Sequence, residues 1–156
     1  MAKKETVTSI SILDLNLGAV PDLKTMESGS ETELKITSFR LGYVGQNNLP
    51  VFKVALNNLS STDDVEYATV FHTLWLPNSS DLVSQANRKR RDLVRFCTAF
   101  SIDAEELTDY LATAQSTENI ENMPQFEGAR GKTSYCILKE TEYEGTFRNE
   151  ISRLVS

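Results

Sequence analysis

Five segments with alternating apolar and polar residues, and one long amphipathic segment between the third and fourth, predict a mainly β domain with one long helix. Three observations carry this reading. Apolar residues recur at every second position within Thr32 to Tyr43, Pro50 to Leu56 and Val65 to Leu76, the period of a half-buried strand. Pro77 then breaks the pattern, and Leu82, Ala86, Leu93, Cys97 and Phe100 recur at helical spacing. After a polar stretch, Lys132 to Tyr143 and Thr146 to Val155 alternate again on either side of Gly145. The length of 156 residues suits one domain. Residues 1–30 read as an N-terminal arm and residues 31–156 as the folded domain.

In the arm, Ile10 and Ile12, then Leu13, Leu15 and Leu17, alternate with polar residues, which suits a short strand. Pro21 and Ser28-Gly29-Ser30 punctuate the rest of the arm. In the first confident strand Leu34 and Ile36 share one parity, and Phe39, Leu41 and Tyr43 share the other. That switch predicts a bulge or strong bend near Thr37 and Ser38. Gly45 to Asn48 is turn chemistry. Pro50 opens the second strand, with Phe52, Val54 and Leu56 on one face, and Asn57 to Asp64 is a polar loop. The third strand puts Ala68, Val70, His72, Leu74 and Leu76 on one face. Its other face carries Tyr67, Thr69, Phe71, Thr73 and Trp75, so three aromatics recur at every fourth residue. Asn78, Ser79 or Ser80 caps the long helix, with Asp81 in its first turn. The helix runs to about Phe100, and its middle, Arg88 to Arg91, faces water. Asp103-Ala104-Glu105-Glu106 resembles a capping box that opens a short second helix with Leu107, Tyr110 and Leu111. Ala112 to Gln125 reads as a loop. The expected core is Leu34, Ile36, Val54, Val70, Leu74, Leu93, Phe96, Cys97 and Phe100.

Composition narrows the function classes. The chain has 22 acidic and 16 basic residues, a net charge of −6. The charge is uneven. Arg88, Lys89, Arg90, Arg91 and Arg95 cluster around the single acid Asp92, whereas Ser101 to Gly128 holds seven acids and no base. Nucleic-acid binding by such a chain needs a concentrated basic face, because phosphate contacts are local. Cys97 and Cys136, far apart in sequence, are too few for a disulfide framework or a four-cysteine zinc site. They read as buried reduced thiols. His72 is the sole histidine, and it reads as a strand histidine with one hydrogen-bond partner rather than a catalytic base. No phosphate-cradling, dinucleotide-binding, zinc-protease or nucleophile-elbow motif is present. Glu105-Glu106 and Asp63-Asp64 read as solvated charge. No enzymatic activity, cofactor or metal is expected. No apolar run approaches the roughly 18 residues of a membrane span, and the N-terminus lacks an apolar signal core. The expected location is the cytoplasm.

Five strands with a helix between the third and fourth is the layout of an OB-fold-like five-stranded barrel. The runner-up is an α+β sheet with the helix across one face. Four stretches also carry a resemblance. They are Leu74-Trp75-Leu76-Pro77; the helix end from Leu93 to Phe100; Phe126-Glu127-Gly128-Ala129-Arg130-Gly131-Lys132; and Tyr143-Glu144-Gly145-Thr146-Phe147-Arg148-Asn149-Glu150-Ile151. In this order, across about Leu34 to Leu154, they resemble the small OB-fold single-stranded-DNA-binding proteins of bacteriophage replication and recombination modules. The resemblance implies non-catalytic action on single-stranded DNA in a host cell's cytoplasm. Many functionally related bacterial proteins recruit partners through an acidic C-terminal tail. This sequence ends Ser152-Arg153-Leu154-Val155-Ser156, so recruitment of that kind is not expected.

Sequence-tolerant binding of single strands needs a basic groove and aromatic platforms. Arg40 and Tyr43 at the end of the first strand, Lys53 in the second, and Tyr67, Phe71 and Trp75 in the third supply both. Arg130, Lys132 and Tyr135 around the fourth strand join them as candidate DNA contacts. An aromatic stripe is more often core than platform, and that reading applies to Phe71 and Trp75. The Arg88–Arg91 cluster reads first as a solvated face. Its alternatives are phosphate contact or a salt bridge to the acidic Asp103–Glu127 stretch of a second copy, giving head-to-tail self-association. The helix is expected at the barrel's end, away from the strand face. The competing function is a protein-interaction module that recruits a replication or recombination enzyme. Gly42, Gly45, Gly128, Gly131 and Gly145 read as bend and turn positions.

Overall fold

A computed structural model describes residues 25–60, 69–115 and 119–155. Its five strands are β1 (Glu31–Val44), β2 (Leu49–Asn58), β3 (Thr69–Trp75), β4 (Thr133–Tyr143) and β5 (Thr146–Leu154). They form one antiparallel sheet in the order β3-β2-β1-β4-β5. Two helices, α1 (Val83–Ala99) and α2 (Ala104–Gln115), stand between β3 and β4. The expected alternations within Ile10–Leu17 and at Tyr67 and Ala68 lie outside the described residues.

The parity switch in β1 is a bulge. The β1–β2 ladder pairs Ile36 with Leu56 and resumes with Ser38 opposite Ala55, which leaves Thr37 as the extra residue. Thr37 donates its hydroxyl to the Ala55 carbonyl at 3.1 Å. The extra residue lets Leu34 and Ile36 before it, and Phe39 and Leu41 after it, all enter the core. A second register shift lies between β4 and β5, where Ile137 faces Arg153 but Leu138 faces Ile151. The β4–β5 turn is Glu144-Gly145, both with positive φ, as a tight hairpin of primed type requires.

Two expectations about architecture are corrected. The sheet is not closed into a barrel: among the described residues no ladder joins the edge strands β3 and β5. Side chains of α1, Leu93 and Phe96, stand at the mouth between them together with Ile151 and Leu154 of β5. The edges of β3 and β5 still approach one another directly, without a ladder. There are also two substantial helices rather than one long one. The stretch expected as a loop after Leu111 continues as helix through Gln115, because Ala114 extends the Leu107, Tyr110, Leu111 spacing by another turn and is itself buried. Asp103 caps α2, accepting the Glu105 amide at 2.8 Å.

The start of α1 is corrected as well. The helix begins at Val83, and none of the three expected residues caps it. Leu82 holds the cap position, and its amide donates to the Gln85 side chain at 2.9 Å. Asn78 instead accepts from the Ser80 amide in a local turn. Asp81 is fastened to Lys89 at 2.8 Å, and that hydrogen bond holds its carboxyl below the usual range.

Of the expected core only Leu93 is half-buried; the other eight residues are buried. The core also takes Phe39, Phe52, Phe126, Cys136 and Leu138. Phe39 sits 4.6 Å from Phe52 and 5.7 Å from Phe126, centroid to centroid. The end of the arm is tied down: the Met26 amide donates to Asn149 at 2.8 Å, and Gly29 and Ser30 exchange backbone hydrogen bonds with Leu138.

Candidate nucleic-acid interface

Strand alternation and register together define the face of β1, β2 and β3 that points away from the core. Opposed residues form cross-strand rows. One row is Arg40, Lys53 and Thr73. A second is Ser38, Ala55 and Phe71, and a third is Gly42, Val51 and Trp75. Two aromatics thus flank a basic row. Phe71 is 66% and Trp75 44% exposed, which removes the reading of these two rings as core. Arg40 and Lys53 are exposed and make no ion pair among the described residues.

Like charges directly opposite one another repel, and Lys53 leans away. A Cβ on Gly42 would lie 2.9 Å from Lys53 Cε. The lysine stem therefore lies over the glycine, in the row that ends at Trp75. Val51, in that same row, is fully buried although it is not part of the core cluster. The lysine stem thus joins the Arg40–Lys53–Thr73 row to the Gly42–Val51–Trp75 row.

The remaining expected site residues divide. Tyr135 is 52% exposed on β4, opposite Glu33, and lies beyond β1 from the Phe71–Trp75 rows. Lys132 is exposed but precedes β4, which begins at Thr133. Arg130 also precedes it, and Glu127 engages its guanidinium at 3.1 Å. Tyr43 shares the parity of Phe39 and Leu41, opposite Pro50, so it belongs to the other side of β1 from Arg40. Tyr67 lies outside the described residues.

The structure adds residues that were not among the expected contacts. A groove of about 730 Å³ runs between β3, α1 and β5. Trp75 lines it together with Arg88 and Arg95 from α1 and Arg153 from β5. The basic cluster of α1 therefore does not stand away from the strand face; part of it shares a groove with the strand's tryptophan. His72 also lines the groove, its ring stacked on Phe96 at 5.5 Å with 9° between planes. Burial holds the imidazole pKa below its ordinary value, against the opposing charges of Glu150 and Asp92. The basic run at Arg88–Arg95 was visible in the sequence. Nothing in the sequence set Arg153 apart, because its place depends on which strand edge faces α1.

Among the described residues, no helix is long and apolar enough to cross a membrane. Comparison with known proteins assigns no family: no family model matches this sequence, and no curated protein matches it significantly.

Proposed function

We propose that this chain is a non-enzymatic, OB-fold-like single-stranded-DNA-binding protein, phage-encoded and acting in DNA replication or recombination. The observation that carries the reading is the exposed pair Phe71 and Trp75 around the basic row Arg40–Lys53. Exposed rings cost solvation in a free protein and gain about 1–3 kcal/mol for each base stacked on them. The strand order supports the fold part of the proposal. An OB fold is a partly open five-stranded barrel that binds oligonucleotides on the face of its second and third strands. Lys53, Phe71 and Trp75 occupy β2 and β3. The resemblance of the sequence to phage single-strand binders points the same way.

The test is an electrophoretic shift with oligo-dT, duplex DNA and RNA side by side. Retention of oligo-dT at low salt, its loss at high salt, weaker retention of duplex and quenching of Trp75 fluorescence are the expected results. No retention of oligo-dT at low salt would refute the proposal. A second reading, a module that recruits a replication or recombination enzyme, is favoured by Leu82, Val83 and Val94, which are exposed on and beside α1. It predicts no oligo-dT binding and capture of such an enzyme. Head-to-tail self-association through the Arg88–Arg91 cluster and the acidic Asp103–Glu127 stretch is a further proposal, read by sedimentation at low and high salt.

A further inference from the structure

The groove between β3, α1 and β5 has a composition unlike that of the chain as a whole. The protein carries a net charge of −6. The groove is lined by Arg88, Lys89, Arg95 and Arg153 against one acid, Asp92. These charges are not equally available. Lys89 is committed to Asp81 at 2.8 Å, with both side chains largely covered, and serves as a strut between α1 and the loop before it. Asp92 lies 3.9 Å from Arg95, an exposed and long contact that solvent screens. Arg88 and Arg153 are exposed and make no ion pair among the described residues.

Three guanidinium groups thus converge on one groove from two elements distant in sequence. Planar guanidinium groups suit phosphate oxygens, which they bind in bidentate fashion. The groove is joined to the aromatic sheet face through Trp75, which belongs to the Gly42–Val51 row and also lines the groove. On its far side Arg153 sits opposite Ile137, two residues along β4 from the exposed Tyr135. A polyanionic strand leaving the sheet face over the β3 edge at Trp75 enters the groove these arginines line.

We infer that the β3–α1–β5 groove is a second segment of the DNA path, in which Arg88, Arg95 and Arg153 hold backbone phosphates of a single strand whose bases stack on Phe71 and Trp75. This inference rests on the reading of the sheet face as a single-strand surface and extends it by assigning a role to α1. The groove contacts carry affinity without sequence preference, because they address the backbone alone.

The test uses the full chain and anisotropy of labelled oligo-dT across a salt series. Arg88→Glu with Arg153→Glu is expected to weaken binding about tenfold at moderate salt. It should also lower the magnitude of the log K against log salt slope by about 1.4, two contacts at about 0.7 each. Lys139→Glu, on β4, reverses one exposed cation that does not line the groove, half the charge change of the double variant. It is expected to change affinity by less than about twofold, since it lies outside the groove. The substituted side chains are exposed, so unfolding midpoints should match the wild type, and a merely structural defect would not move the salt slope. If the double variant behaves like Lys139→Glu while Lys53→Glu weakens binding, the groove inference fails and the sheet-face reading stands. If the wild type does not bind oligo-dT, both fail. If the double variant alters sedimentation but leaves the salt slope unchanged, the groove is a contact between copies of the chain, and the inference is overturned.

Discussion

Phe71 and Trp75 are four residues apart on one strand, so their rings project from the same face about 13 Å apart. Because Phe71 is mostly exposed, Phe71→Ala should cost about 1–3 kcal/mol of single-strand affinity while leaving the urea unfolding midpoint unchanged. A fall in both would make the ring structural. His72 yields a pH dependence of stability. Burial lowers its folded-state pKa, so the unfolded chain takes up the proton first. Stability is complete above the ordinary histidine value of about 6.5 and declines as pH falls through that value and then through the folded-state pKa. The melting temperature should therefore drop between pH 7.5 and pH 5.5 (roughly one unit either side of that ordinary value), and His72→Gln should shrink the drop. An undiminished drop in the variant would assign it to other groups. Both cysteines are buried free thiols, and burial pushes Cys97 to about 11 and Cys136 to about 12. Only the thiolate reacts readily, so neither should titrate with a disulfide reagent until the protein is unfolded.

The helix α1 is held at one end. Phe96, Cys97 and Ala99 are buried near its C-terminus, whereas Val83 and Val94 are exposed. Phe96 stacks on Phe100 at 4.6 Å and on His72 at 5.5 Å. Deleting a fully buried ring removes its transfer energy and leaves a cavity, so Phe96→Ala should destabilise by about 3–5 kcal/mol. Val83→Ser, on the exposed first turn, should stay within about 0.5 kcal/mol. Urea denaturation of the two variants checks both numbers. A large cost at Val83 would mean that the first turns of α1 pack on something in the folded protein. The β1 bulge is the corresponding feature of the sheet: one unpaired residue, Thr37, re-phases the strand so that core residues precede and follow it on the same face.

For the whole molecule, the salt dependence of binding measures how far the DNA path extends. If Arg40 and Lys53 alone meet phosphates, the slope of log K against log salt should be about −1.4. If Arg88, Arg95 and Arg153 contribute too, it should be about −3.5. A protein of net charge −6 gains little from long-range attraction to DNA, so the local basic rows must supply the electrostatic share of affinity.

The sequence by itself determined the five strands and the place of the long helix between the third and fourth, but not the full extent of the second helix. Strand periodicity, the Pro77 break, the helical spacing up to Phe100 and the Gly145 turn are local properties, and local sterics and burial suffice to specify them. It also required a bulge or a strong bend near Thr37, because the change of parity must keep Ile36 and Phe39 both inside, and the register shows that it is a bulge. The tertiary structure decided what depends on long-range register. Only the pairing of β2 with β1 and β3 shows that Arg40 and Lys53 share a face with Phe71 and Trp75, whereas the parity of Tyr43 with Phe39 and Leu41 was already legible in the sequence. Only the ladders show that the sheet stays open, and only the tertiary placing of α1 and β5 shows that Arg88, Arg95 and Arg153 share a groove with Trp75. A strand's exposed face has the same alternation whichever neighbour it pairs with. Which basic and aromatic residues converge is therefore set by contacts between segments far apart in the chain.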